Sequence, residues 1–209
     1  MLELPFADQP DVPPGFQYRG GLITEDEERA LVDAIGRLAF SKVEMRGVVA
    51  KRRTAHFGVT YGYERRTSQP GTPIPAFLLP LRERVAAWAG VNAGDLAEAL
   101  VTEYPAGAGI GWHRDAPMFG DVIGGVSLLS SCRMKFRAYV SPAKVRELPG
   151  PRRTTHEIEL PARSGYVITG VARREFEHSI PHTSALRYSI TFRNLRSGRT
   201  QDLRQQDGT

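Results

Sequence analysis

Near the middle of the chain, Gly111-Trp112-His113-Arg114-Asp115 sets an imidazole and a carboxylate two positions apart. On an extended backbone, residues two apart project to the same side, so His113 and Asp115 aim at one point. Two ligands of these types can hold a divalent metal ion, but they cannot close its coordination shell. A third ligand must then come from a distant part of the chain, and positions must stay open for exchangeable molecules. A His-x-Asp triplet also arises by chance, so the third ligand carries the argument.

The chain has five histidines, at 56, 113, 156, 178 and 182. His178, in Glu177-His178-Ser179-Ile180-Pro181, sits near the end of a strand-like run and before a turn-forming proline. It is preferred to His182, which falls beyond that proline, and to His156, which opens a strand at a loop edge. Two histidines and one carboxylate make the facial triad of non-haem Fe(II) oxygenases, with open positions on the other face.

The run Arg187-Tyr188-Ser189-Ile190-Thr191-Phe192-Arg193 alternates cleanly. Arg187, Ser189, Thr191 and Arg193 take one face of a strand and Tyr188, Ile190 and Phe192 the other. At about 3.3 Å per residue the two arginines stand roughly 20 Å apart, and leaning toward one another they would leave a gap suited to a short dicarboxylate. Arginine suits that task because its planar fork grips a carboxylate bidentately and keeps its charge. The competing reading is an edge strand with a solvated polar face. Beside an Fe(II) triad, the strand reads as a site for 2-oxoglutarate.

These residues need a frame, and the composition supplies the limits. At 209 residues, 41% hydrophobic and 24% charged, the chain suits one globular domain with a real core. Cys132 is the only cysteine, which excludes an intrachain disulfide and cysteine-based zinc clusters and fits a reducing, cytoplasmic setting. The first sixteen residues carry acids and prolines where a secretory signal would be basic and apolar. No apolar run is long enough to span a bilayer, so no membrane association is expected. The formal charge of +5 and a pI near 9.6 lean toward polyanion partners. Basic clusters at Lys51-Arg52-Arg53, Arg65-Arg66, Arg152-Arg153 and Arg173-Arg174 sharpen that lean, although solvated loop charge accounts for any one of them.

Taken in order, residues 1–15 hold several prolines and predict an irregular leader. Thr24 and Glu27 form a capping box ahead of Ala30, Leu31, Ala34, Ile35 and Leu38, which predicts an amphipathic helix over about 25–38. Residues 43–50 are strand-prone, and 54–63 read as a strand with Phe57, Val59, Tyr61 and Tyr63 on one face. A second helix is predicted from about Pro75 to Ala89, closed by Gly90 and either kinked or started at Pro80. Beyond Gly90 short strands follow one another, over 98–104, 122–129, 134–140, 156–160, 164–170, 174–180 and 186–196. That spacing predicts a β-sandwich or jelly roll. The polar tail from Ser197 predicts disorder.

The segments TEYPAGAGIGWHRD at 102–115, EHSIP at 177–181 and RYSITFR at 187–193 resemble, in order, the AlkB-like 2-oxoglutarate- and Fe(II)-dependent dioxygenases. More loosely, KRRTAHFGVTYGY at 51–63 resembles that family's nucleotide-recognition lid. The resemblance implies an α+β, mainly β fold: a double-stranded β-helix (jelly roll) core with N-terminal helices packed on one sheet. It divides the chain into a leader (1–15), N-terminal helices with the lid (16–92), the dioxygenase core (93–196) and a tail (197–209). His113, Asp115 and His178 would bind Fe(II). Arg187 would pair with the distal carboxylate of 2-oxoglutarate and Arg193 would help at its metal-chelating end. Thr102, Tyr104 and Ser189 would line the co-substrate. Thr102 and Ser189 stand where the family often has asparagine, and Pro117 stands where many DNA-repairing members have an acid. The run after Asp115 looks more like the branch that includes transfer-RNA-modifying members.

The activity so implied uses O2 and oxidatively dealkylates N-alkylated (methyl or etheno) bases in DNA, releasing the repaired base, succinate and CO2. Such a base is buried in a duplex, so single strands or a flipped nucleotide are required. Tyr61 and Tyr63 would stack on that base opposite His113, and Arg52 and Arg53 would meet phosphates; strand packing and solvated charge are the plainer alternatives. A monomer is expected. Two other readings stand beside this one: the same chemistry on RNA, as demethylation or as hydroxylation of a tRNA base, and a metal-free jelly-roll module that binds nucleic acid without turnover.

Overall fold

The computed structural model describes residues 11–45, 47–62, 67–141 and 154–196. The expected leader up to residue 10, the tail from Ser197, Tyr63 and the pairs Arg65-Arg66 and Arg152-Arg153 lie outside the described residues. The last part of the expected leader is anchored: Thr169 donates its backbone N–H to Gly15 O at 2.8 Å and Ala172 donates its own to Pro14 O at 2.8 Å.

The strands are β1 (Phe16–Arg19), β2 (Ser41–Met45), β3 (Val48–Gly62), β4 (Thr67–Pro70), β5 (Glu98–Tyr104), β6 (Ile110–His113), β7 (Phe119–Leu128), β8 (Cys132–Ala138), β9 (Thr155–Leu160), β10 (Gly165–Ile168), β11 (Phe176–Ile180) and β12 (Arg187–Leu195). Among the described residues they form two antiparallel sheets. The larger runs β1-β10-β7-β12-β5-β3-β2 with β4 attached to β3, and the smaller runs β6-β11-β8-β9. The frame is a jelly roll, mostly β. Because β1, β2 and β3 hydrogen-bond into the large sheet, the lid segment and the core strands share one sheet across the boundary expected at residue 92.

Helix α1 (Glu25–Ile35) starts as expected, with the Thr24–Glu27 capping box formed, but stops three residues short at Gly36. Helix α2 (Leu79–Ala89) begins at the proline that could have kinked it, since Pro80 lies in the first turn, where no intrahelical N–H bond is required. A 3-10 turn, Ala76–Leu78, leads in, and Gly90 at φ 70° closes the helix in the left-handed region. Both helices cover the outer face of the large sheet, where Leu31, Ile35, Leu81 and Val85 pack with Tyr188, Ile190 and Phe192. Gly124 in β7 permits that approach: a Cβ there would lie 2.2 Å from Val85 Cγ1. Between the sheets, Tyr104, Ile123, Tyr166 and Ile168 meet Met134, Phe136, Ile158 and Leu160.

The sequence reading differs from the fold at two places that matter for function. The strand expected over 174–180 begins only at Phe176; the residues before it form a short helix, α3 (Gly170–Glu175). Its Arg173 is buried and donates to the carbonyls of Gly120, Ala116 and Phe119. In β3, Phe57 and Val59 do not serve one packing face. Phe57 lies beneath the helices, whereas Val59 joins Ala116, Met118, Phe119 and Leu195. Gly58 between them has φ 81°, a left-handed conformation that interrupts simple alternation.

Candidate metal and co-substrate site

Strand pairing assembles the site. In the small sheet His178 of β11 is the register partner of His113 at the end of β6, and their ring centroids lie 4.3 Å apart. Asp115, two residues on, brings Oδ2 to 3.8 Å from His178 Nε2. His113 Nδ1 lies 2.9 Å from Gly111 O, which places the proton on Nδ1 and leaves Nε2 with the lone pair. His182, the second choice for third ligand, is exposed on the other side of Pro181, and His156 pairs with Asp11.

Burial holds His178 neutral, down to about 3, with His113 adding to the effect and Asp115 opposing it. Burial likewise lowers His113. For Asp115, burial alone would raise the carboxyl, but the Arg193 guanidinium, with Arg173 adding to it, holds it below the usual carboxylate range. The three side chains are therefore two neutral imidazoles and one carboxylate anion, a donor set suited to Fe(II) with positions left open. Among the described residues no three His, Cys, Asp or Glu side chains, these included, are grouped so as to hold a metal ion as they stand. Asp115 Oδ1 accepts instead from Arg193 Nε at 2.8 Å.

The large sheet supplies the facing wall. In β12, Arg187 pairs with Tyr104 of β5, and Ser189 pairs with Thr102 of β5 and Ser127 of β7. All five are buried. Arg187 is fully buried, donates Nε to Ser127 Oγ at 3.0 Å and carries Cζ 5.2 Å from the Tyr104 ring centroid. Its Nη1 and Nη2 have no hydrogen-bond partner among the described residues. Two parallel donors of a buried guanidinium left unpaired cost too much to be incidental to the fold, and a carboxylate is the group they match. Burial raises the Tyr104 hydroxyl and pushes Tyr166 up to about 12, so both phenols stay protonated and able to donate. The residues present thus fit a divalent metal beside a small dicarboxylate.

Arg193 stands beside Asp115, and its bonds go to protein. Nε meets Asp115 and Nη1 meets Glu98 Oε2 at 2.7 Å. Glu98 and Ser127, both buried, are parts of the site that sequence reasoning missed. Strand alternation places Glu98 on the face of Thr102 and Tyr104, a signal that was present but had no partner assigned to it.

In β3, the structure separates the two arginines expected at phosphates. Arg53 shares the face of Ala55 and Phe57, which pack toward the helices. It donates Nε and Nη2 to the Glu103 carboxylate at 2.9 Å each, over the Phe40 ring. Its fork is thus engaged by Glu103, on the helix side of the sheet. Arg52, one residue earlier, takes the site face and is close enough to His113 and Tyr104 to act on both electrostatically. Tyr61 lies on β3 opposite Ser68.

The model of the 2OG-Fe(II) oxygenase superfamily matches residues 37–199. An Arabidopsis thaliana protein named "Alkylated DNA repair protein ALKBH8 homolog" is 29% identical over 210 aligned residues, covering 88% of this chain and 59% of that protein. The mouse "tRNA (carboxymethyluridine(34)-5-O)-methyltransferase ALKBH8" is 26% identical, covering 81% of this chain and 24% of its own length. The chain thus spans only part of the curated relatives it matches. Among solved structures, OsALKBH1 superposes with a TM-score of 0.61 at 12% identity, covering 88% of this chain and 99% of the other. A Pseudomonas putida prolyl-4-hydroxylase gives 0.57 at 15% identity, covering 87% and 93%. Both share the fold. The chain belongs to the 2OG-Fe(II) oxygenase superfamily, on its AlkB-like side, a family that uses Fe(II), 2-oxoglutarate and O2.

Proposed function

We propose that the protein oxidises a substituent on a nucleic-acid base held in single-stranded or flipped-out form. The observation that carries this reading is the buried Arg187 fork, unpartnered among the described residues, in a fold that also brings His113, Asp115 and His178 together. Bound Fe(II), with 2-oxoglutarate and O2, supplies the oxidising power. His113, Asp115 and His178 would hold the metal by one face. Arg187, steadied by Ser127, would take the distal carboxylate of 2-oxoglutarate, with Tyr104, Thr102 and Ser189 offering hydrogen bonds along its length. Arg193 would keep Asp115 ionised and in place. Arg52, on the face of β3 opposite that of Arg53, would meet a phosphate or an anionic base substituent. Family membership displaces the alternative of a metal-free binding module.

RNA is the first substrate to offer. Both curated relatives carry the ALKBH8 name, and the mouse protein is named for a modified uridine of tRNA. Dealkylation of N-alkylated DNA bases is the second reading, supported by the name of the Arabidopsis relative. The test loads the protein with Fe(II) and 2-oxoglutarate without oxygen, adds modified-uridine RNA and methylated or etheno-modified RNA and DNA, then admits air. Mass spectrometry of the bases and succinate release are the readouts. One class of oligonucleotide should turn over with succinate, and His113→Ala should abolish the product while leaving oligonucleotide binding intact. If no nucleic acid stimulates succinate release above the background without substrate, the reading fails.

A further inference from the structure

Glu98 opens β5 as an acid on a strand that is otherwise almost wholly buried, and it is itself 3% exposed. A buried carboxylate costs several kcal/mol unless it is paired, and a valine or leucine there would serve the packing equally well. What Glu98 does is visible in its partners. Oε2 accepts from Arg193 Nη1 at 2.7 Å, while Arg193 Nε donates to Asp115 Oδ1 at 2.8 Å. Arg193 is thereby fixed from two sides, with its Cζ 5.0 Å from the Phe119 ring centroid beneath. The remaining Asp115 oxygen, Oδ2, is the one turned toward His178. The line continues outward: His56 Nδ1, on β3, lies 3.4 Å from Glu98 Oε1.

Arginine meets a lone carboxylate by gripping both oxygens in its fork. With no second anion, Arg193 would be free to do this to Asp115 and would compete with a metal for it. We propose that Glu98 is a positioning residue of the metal centre. It draws one arm of Arg193 away, so that Arg193 holds a single oxygen of Asp115 and the other is left to ligate. This rests on the metal reading above and adds to it a residue that touches neither metal nor co-substrate.

The test measures Co(II) binding by the full chain, through its visible absorption, in a double-mutant cycle. Glu98→Gln keeps the shape and one acceptor but removes the charge that holds Arg193. It should weaken Co(II) binding by about 10- to 100-fold, the usual size of an outer-shell effect, and change the Co(II) absorption bands. In an Arg193→Gln background the same substitution should have little effect, because the competing fork is gone. If Glu98→Gln does not fold, Glu98→Asp, which withdraws the carboxylate from Arg193, is read in its place and should weaken binding in the same direction. Unchanged affinity and spectrum in the folded variant, or an equal loss in both backgrounds, overturns the proposal. Failure of the parent protein to bind Co(II) at all instead overturns the metal reading on which it rests.

Discussion

Replacing Arg187 with methionine should make the metal-loaded protein more stable and unable to respond to 2-oxoglutarate. The side chain is fully buried, and two of its three nitrogens are unpaired among the described residues. Each unsatisfied buried donor costs about 1–3 kcal/mol, more when charged. Against that gain stand the lost bond to Ser127, about 1 kcal/mol, and the lost cation–π contact with Tyr104, about 0.5–2 kcal/mol. Methionine refills most of the space with an adaptable apolar chain. The balance favours the variant by about 2 kcal/mol, within the ~1–4 kcal/mol seen when buried ionic groups give way to packed apolar ones. For a domain of this size that raises Tm by about 4–8 °C. The parent should recover the difference once its ligand is present, because 2-oxoglutarate at a hundredfold excess over its Kd contributes about 2.7 kcal/mol. The assay is thermal unfolding of both proteins with Mn(II), with and without 2-oxoglutarate. A variant clearly less stable than the parent, or one that 2-oxoglutarate stabilises equally, refutes the argument that Arg187 is held in strain for a carboxylate.

Three further outcomes are expected. His178 is held down to about 3 while an unfolded histidine titrates near 6.5, so on acidification the unfolded chain takes the proton first. The stability this contributes is complete above about 6.5 and drains away as pH falls toward 3; urea midpoints of the metal-free protein between pH 7.5 and 5 should fall accordingly, and less steeply in His178→Asn. Gly124→Ala should destabilise by about 1–3 kcal/mol, since the new methyl meets a β-branched side chain with little room to move; an unchanged Tm would mean that α2 is not seated as described. Arg53→Ala should leave oligonucleotide affinity unaltered, because its fork serves Glu103, whereas Arg52→Ala should weaken binding and reduce the salt slope by about 1. Equal effects in a salt titration would contradict the facing assigned to β3.

Much of the site was legible in the sequence because strand geometry is local. Alternation alone told which of residues 187–193 share a face with the two arginines and which take the other face, and the second set does meet α1 and α2. The His-x-Asp spacing declared a shared direction for His113 and Asp115 before any partner was known. Capping chemistry at Thr24 and the proline–glycine punctuation of α2 were equally local, and so were visible.

What the chain in one dimension could not state was pairing. That His178 stands opposite His113, and that Arg187, Ser189, Thr102, Tyr104 and Ser127 line one wall, are matters of register between strands distant in sequence. Gly58 shows the limit of local reading, since one left-handed residue splits a face that alternation had joined. Glu98 and Arg53 show it again. A charged residue declares its chemistry in the sequence, but its role depends on which opposite charge the fold brings within hydrogen-bonding reach, where the attraction is strongest. The kinds of side chain were therefore written in the residues, and which of them stand side by side was decided by the folded sheets.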